Sequence, residues 1–248
     1  MDDIQAIQSD QYQFPYHYLP SLTPDGSSFA ASRSWGFSLS YVTALHHVSQ
    51  AIAKLGGNSH IDVGCGDGAL VHLLRKRHPD IRLAGVDYDR KAIEWAKMFS
   101  PGATFHSGDL HDLDPEHGWD SASLVEVVEH IPPESLPHFA AGVRRLLHPG
   151  SRLIVTVPHR NKPVSDKHYQ HFSFDSIAAV FGDGFIVEDI FGFEVYPIAE
   201  ILYRRLFDRP KFHLESEAIN RVRLRYQIDR KDRDERRCGR IFAVLKAT

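Results

Sequence analysis

An α/β fold, with a mostly parallel seven-stranded sheet and helices on both faces, is predicted by three features of this sequence. Short apolar runs alternate with stretches of helical periodicity, a glycine-rich turn follows the first of those runs, and an aspartate stands at the end of the second and of the third. Strands alternating with helices imply right-handed βαβ units on a parallel sheet. Such sheets bind ligands at the carboxyl ends of their strands.

The elements follow in order. Residues 1 to about 37 are aromatic and turn-rich, without a clear period. From Ser38 to Leu55 the apolar residues Tyr41, Ala44, Leu45, Val48, Ile52 and Leu55 recur at helical spacing, and Gly56-Gly57 stops the run. Strands are expected at His60–Gly64, Leu83–Asp87, Thr104–Gly108, Ser123–Val127 and Arg152–Val157, with closing strands at Phe185–Phe191 and Arg240–Lys246. Helices are expected at Ala69–Arg77, Arg90–Phe99, Pro133–Leu147 and Ser173–Phe181. About 48 residues separate the last two strands, far above ordinary loop length, which predicts a helical insertion over the site.

Composition narrows the class. The 248 residues are 42% hydrophobic and 25% charged, enough for one large domain with a full core. A formal net charge of -3 argues against a molecule that binds nucleic acid through its overall field. Two cysteines, Cys65 and Cys238, make no disulfide framework and suggest a reducing compartment. The start Met1-Asp2-Asp3-Ile4-Gln5 lacks the basic region of a signal peptide, and no apolar run approaches the roughly 18 residues of a membrane span. A cytoplasmic location without membrane contact is expected. Sixteen histidines are present; any one taken singly reads as a surface or packing residue.

The decisive segment is Ile61-Asp62-Val63-Gly64-Cys65-Gly66-Asp67-Gly68-Ala69-Leu70. Its glycines permit a tight turn and let a ligand approach the backbone. The spacing is G-x-G-x-G, and not the G-x-G-x-x-G that frames a dinucleotide pyrophosphate. Gly85-Val86-Asp87 puts an acid at the end of the second strand, 19 residues after Gly68, where a carboxylate can accept from both ribose hydroxyls. Gly108-Asp109 repeats the arrangement after the third strand.

Together these three motifs resemble class I S-adenosylmethionine-dependent methyltransferases, over residues 60 to 192. The resemblance implies a Rossmann-like fold and S-adenosylmethionine as cofactor. Gly64, Gly66 and Gly68 would line its methionine portion, Asp87 would bind the ribose and Asp109 the adenine. Asp62, Tyr88, Leu110 and Glu126 complete the expected cofactor set. The chain is then one methyltransferase domain: an N-terminal aromatic segment and helix (1–55), a cofactor-binding core (56–192), the insertion (193–239) and a closing strand (240–248).

After the fourth strand comes Glu126-Val127-Val128-Glu129-His130-Ile131-Pro132-Pro133. A helical turn here would set Glu126, Glu129 and His130 at i, i+3 and i+4 on one face. Two carboxylates and an imidazole can hold a divalent cation; the oxygens favour Mg²⁺ or Mn²⁺, while the imidazole leaves room for Zn²⁺ or Fe²⁺. The loop after the fifth strand offers His168 as a further ligand, with His171 second. The arrangement resembles the small-RNA 3′-terminal ribose 2′-O-methyltransferases, which pair E-x-x-E-H with a later histidine, and the ubiquinone-biosynthesis O-methyltransferases, which carry a similar E-x-x-E-H. Carried over, Glu126, Glu129, His130 and His168 would bind a metal whose open positions take two adjacent substrate hydroxyls. The competing reading is the metal-free E-H-I/L-P sequence of many class I enzymes, with His130 as helix cap or general base.

The acceptor is less legible. Tyr12, Phe14, Tyr16, His17, Tyr18 and Trp35 form either a lid over the cofactor or plain packing onto the core. Arg221 to Arg240 holds nine Lys or Arg against four Asp or Glu, which reads first as a solvated helix face. The function expected is O-methylation of a hydroxyl-bearing small molecule such as a sugar, nucleotide or phenolic metabolite, with Glu126, Glu129 and His130 as the catalytic group. Two alternatives stay open: methylation of an RNA 3′-terminal ribose, and a catalytically silent methyltransferase fold that serves as a binding protein.

Overall fold

The computed structural model describes residues 7, 20–22, 29–31, 35–114, 118–209, 212–213 and 216–248. Its centre is a seven-stranded sheet of β3 (Ser59–Val63), β4 (Arg82–Asp87), β5 (Thr104–Ser107), β6 (Trp119–Val125), β7 (Leu147–Pro158), β8 (Phe185–Phe193) and β11 (Arg240–Ala247). The order is β5-β4-β3-β6-β7-β11-β8, and β11 alone runs opposite to the other six. Between β3 and β6 the order reverses direction, and that is where an open α/β sheet offers a crevice.

Helices cover both faces. On one lie α1 (Trp35–Leu55), α2 (Ala69–Arg77) and α3 (Arg90–Phe99); Ala44, Val48, Leu70, Leu74, Ile93 and Ala96 pack there against Leu83, Ile154 and Phe242. On the other lie α4 (Leu136–Arg145) and α5 (Phe174–Val180), where Ala140, Val143 and Ile177 meet Ile61, Val86, Leu124, Val155 and Ala243. Alternate strand residues feed the two cores, as the period of two requires.

Local chemistry explains the sharpest boundaries. Asp89 caps α3 by accepting from the Lys91 and Ala92 amides, and Ser173 forms a capping box with Ser176 at α5. Gly68 precedes α2 at φ +79°, where an added Cβ would stand 2.9 Å from the Ala96 Cβ. Only glycine suits that close crossing of α2 and α3.

Three expectations need correction. The fourth strand ends at Val125, so Glu126 and Val127 lie beyond it. The expected helix from Pro133 divides into a 3₁₀ turn (Pro133–Ser135) and α4, because Leu147 leaves it to pair with Trp119 at the start of β7. Residues 1 to 37 are not wholly irregular, since β1 (Pro20–Leu22) pairs with β2 (Phe29–Ala31) and Trp35 opens α1. Tyr12, Phe14, Tyr16, His17 and Tyr18 lie outside the described residues, as does the Trp35 side chain.

Between β8 and β11 stand α6 (Ile198–Phe207), the short strands β9 (Asp208–Arg209) and β10 (Phe212–His213), and α7 (Glu217–Asp229). Helix α7 packs on α1. Arg223 of α7 ties the segment together, donating to Glu200 at 2.7 Å and to Asp208 at 3.4 Å. No helix among the described residues is long and apolar enough to cross a membrane.

Candidate active site

The crevice at the strand ends is a cavity of about 380 Å³, lined by Gly64, Val86, Asp87, Tyr88, Asp109, Leu110, Glu126, Val127, His130 and Phe139, among others. Backbone geometry shapes its floor. Gly64 sits at φ +73°, and its amide donates to the Val86 carbonyl at 2.8 Å. An added Cβ there would come within 2.5 Å of a Val127 methyl.

Asp87 ties this turn to β4. One carboxylate oxygen accepts from the Gly66 amide and the other from the Asp89 amide, each at 2.9 Å. Each oxygen keeps a further lone pair for a ligand hydroxyl. Burial pushes the Asp87 pKa up to about 6, against the two amides, which act to lower it. Asp109 accepts from the His111 amide at 2.8 Å and so caps the 3₁₀ turn Leu110–Asp112.

The other expected cofactor residues stand further back. Neither Gly66 nor Gly68 is among the residues lining the cavity, and Asp62 is buried beneath the turn, where it accepts from Ser123 Oγ at 2.6 Å. Burial pushes the Asp62 pKa up to about 7. The consequence for stability has a definite sign. Between about pH 4, where the unfolded side chain ionises, and pH 7, the native state holds the extra proton, so stability falls as pH rises. Asp62→Asn should flatten that slope and raise stability above pH 7 by a few kcal/mol, each tenfold change in proton affinity being worth about 1.4 kcal/mol. Urea melts at pH 5 and pH 8 measure this, and an unchanged slope would contradict it.

Beside the cavity lies a second cluster. Potential ligand atoms of Glu129, His130 and His168 all fall within 4.8 Å of one another. Glu129 is 0% exposed, and neither of its oxygens has a hydrogen-bond partner among the described residues. Burial, followed by the Glu126 charge, pushes its pKa well above the usual carboxylate value. An unpaired buried carboxylate is costly and calls for a cation.

The two imidazoles are oriented for that role. His130 Nδ1 lies 2.8 Å from the Lys167 carbonyl and so donates to it, leaving the Nε2 lone pair free. His171 Nδ1 likewise donates to the Lys162 carbonyl at 3.0 Å, so its Nε2 accepts from His168 Nδ1 at 2.8 Å. His168 Nε2 is thereby also left as a lone pair. Burial lowers the pKa of His130 to about 4 and of His168 to about 2, with Lys167 adding to both and His130 to the latter. Both rings are neutral at pH 7, as ligation requires. The Tyr169 amide, donating to the Glu129 carbonyl at 2.9 Å, pins the loop over the cluster. His171 therefore orients His168 and is not its substitute.

Glu126 departs from the expected set. Its φ is +58°, outside helical geometry, and only Val128–His130 form a 3₁₀ turn. The i, i+3, i+4 face is therefore not formed. The Glu126 carboxylate accepts from Arg240 Nε at 2.8 Å and from Thr156 Oγ1 at 3.1 Å. It lines the cavity and lies outside the Glu129–His130–His168 group.

Arg240 was not legible as a site residue. It is buried between Glu126 and Glu194, with its Nη1 paired to Glu194 Oε2. Lys162 at 3.1 Å, Ser40 at 2.9 Å and Tyr196 at 2.8 Å complete the shell of Glu194. The available signal was a lone cation opening an apolar strand that, being antiparallel, begins where the others end. His111 and His138, stacked with ring centroids 3.9 Å apart at the cavity wall, were also missed.

Residues 61–150 match the family model described as a methyltransferase domain. Over these residues the chain is similar to methyltransferase domains, and its sheet has the strand order of the class I methyltransferase fold. Ubiquinone biosynthesis O-methyltransferase of Alkalilimnicola ehrlichii is 30% identical over 125 residues, which are 47% of this chain and 48% of that protein. The chain thus spans about half the length of this curated relative. Among solved structures, a SAM-dependent methyltransferase from Archaeoglobus fulgidus aligns with TM-score 0.56 and 17% identity, covering 86% of this chain and 98% of that one. The methyltransferase domain of bacterial CtHen1 aligns with TM-score 0.56 and 18% identity, covering 84% and 98%. These two likenesses concern the fold. In this chain, the cavity occupies the crevice at the carboxyl ends of β3, β4 and β6.

Proposed function

We propose that this chain is an S-adenosylmethionine-dependent O-methyltransferase that positions a hydroxyl-bearing acceptor beside a divalent cation held by Glu129, His130 and His168. The observation that carries the metal reading is the unpartnered, fully buried Glu129 carboxylate facing two imidazoles with free Nε2 lone pairs.

Electrostatics support the cofactor. Asp62, Asp67 and Asp87 are all buried around the glycine turn, and after burial itself their charges are what push the Cys65 thiol pKa well up. A negative pocket of this kind favours a ligand carrying a sulfonium and an ammonium and repels a dinucleotide pyrophosphate. When bound, this cofactor supplies a methyl group activated on sulfur.

The residues then divide the work. Asp87 holds the ribose, and Asp109 faces the adenine end. Glu126, fixed by Arg240, borders both the cavity and the cation cluster. His130 belongs to both, so the acceptor oxygen is held close to the cofactor. Alignment of this kind supplies much of the acceleration in an in-line transfer. A cation at the triad would supply Lewis acidity toward an acceptor hydroxyl. A two-imidazole, one-carboxylate set suits Mn²⁺, Fe²⁺ or Zn²⁺ better than Mg²⁺, which prefers oxygen ligands.

Partition of the ligands gives the test. Glu129→Ala is expected to abolish stoichiometric Mn²⁺ binding measured by equilibrium dialysis, whereas Glu126→Gln leaves it nearly intact. Retained metal in Glu129→Ala would refute the triad. If chelator-sensitive turnover appears with RNA and disappears after periodate oxidation of its terminal diol, the acceptor is an RNA end and not a small molecule.

A further inference from the structure

His60 is the second residue of β3, is 0% exposed and touches neither the cavity nor the cation cluster. A histidine buried inside a sheet needs partners for both ring nitrogens. Here they come from the neighbouring strand: Nδ1 is 2.9 Å from Ser121 Oγ and Nε2 is 2.9 Å from Ser123 Oγ. Ser123 Oγ in turn donates to Asp62 Oδ1 at 2.6 Å. The parallel register of β3 and β6 sets His60 beside Ser121 and Asp62 beside Ser123.

The direction of each bond follows from the last. Ser123 spends its proton on Asp62, so it must accept from His60 Nε2–H. The neutral ring then carries its proton on Nε2, and Nδ1 accepts from Ser121 Oγ–H. Burial keeps the ring neutral by lowering its pKa to about 3. Every donor in the chain Ser121–His60–Ser123 thus points toward a single carboxylate, and hydrogen bonds aligned in this way polarise one another.

We infer that His60 is a positioning residue for the cofactor: through Ser123 it holds the Asp62 carboxylate, two residues before Gly64, in the orientation that the glycine turn needs to receive its cationic ligand. This rests on the cofactor reading above. Asp62 is 3% exposed and lies behind the turn, so its effect on the ligand runs through the set of Gly64 and, above pH 7 where it is ionised, through its charge. Neighbouring Asp87 and Asp67 add charge of the same sign. His60 aligns the carboxylate without contributing a compensating positive charge.

The test is a double-mutant cycle read by calorimetry with S-adenosylhomocysteine, each variant first checked for a cooperative thermal transition. His60→Leu and Ser123→Ala are each expected to weaken binding about tenfold, the size of one hydrogen bond to a charged group. His60→Gln, which can keep an amide donor near the Nε2 position, should bind like the wild type. In an Asp62→Asn background, His60→Leu should cause no further loss. A purely structural histidine would produce the same fold-loss in both backgrounds, and that result would overturn the inference. So would wild-type affinity in folded Ser123→Ala. No binding by the wild-type chain itself would instead remove the cofactor reading on which the relay depends.

Discussion

Arg240→Met is expected to cost about 3–5 kcal/mol of stability, because it strands two buried carboxylates that share one guanidinium. Glu126 pairs with Arg240 Nε and Glu194 with its Nη1, and both acids occupy left-handed backbone, at φ +58° and +63°. Lys162 still reaches Glu194 in the variant, but among the described residues the Glu126 carboxylate keeps only the hydrogen bond from the Thr156 hydroxyl. The pH dependence identifies the cause. Arg240, then Lys162, holds the Glu194 pKa down to about 2 against its burial. That stabilisation is fully present above the unfolded value near 4.5 and is lost as pH falls through 2. The methionine variant should therefore lose most at pH 7 and least at pH 2 or below. Urea melts at the two pH values would show this; an equal loss at both would assign the effect to packing alone.

Asp87→Ala is expected to weaken S-adenosylhomocysteine binding by about 2–3 kcal/mol, roughly 30- to 150-fold, since hydrogen bonds to an ionised group are among the stronger ones. Two losses combine. The ribose loses its acceptor, and the Gly66 and Asp89 amides lose theirs, which loosens the turn that the cofactor rests on. For the fold itself the loss of these amide bonds is offset by relief of a buried carboxylate whose pKa is already pushed up to about 6. Binding should thus fall far more than thermal stability does. Unchanged affinity in a folded variant would remove Asp87 from the site.

The contrast between these two residues marks where sequence reasoning succeeds. Asp87 belongs to a local pattern: a glycine turn, a helix and a short strand whose spacing is written along the chain. The bounds of α2 and α3 coincided with expectation for the same reason, since Gly68 and Asp89 punctuate them. Arg240 acts on Glu126 across 114 positions, and no periodicity reports such a pairing. Its pull, together with the Glu126 amide donating to the Thr156 carbonyl at 2.9 Å, holds the chain out of the helical turn that the E-x-x-E-H spacing suggested. The start of β6 is hidden in the sequence because its first half, Trp119-Asp120-Ser121-Ala122, carries polar side chains. Ser121 and Asp120 bond back to β3 there, through His60 and Ser59. The cation cluster was legible in its histidines and in Glu129, but the hydrogen bonds that free each Nε2 depend on the path of the loop from His159 to Phe172.

The measurement that bears most directly on the central claim is calorimetric titration of the chain with S-adenosylhomocysteine. Saturable binding at one site per chain, weakened by Asp87→Ala, is the predicted result. The absence of any binding heat from the folded chain, at cofactor concentrations far above the micromolar range, would contradict it and leave the crevice at the strand ends without its ligand.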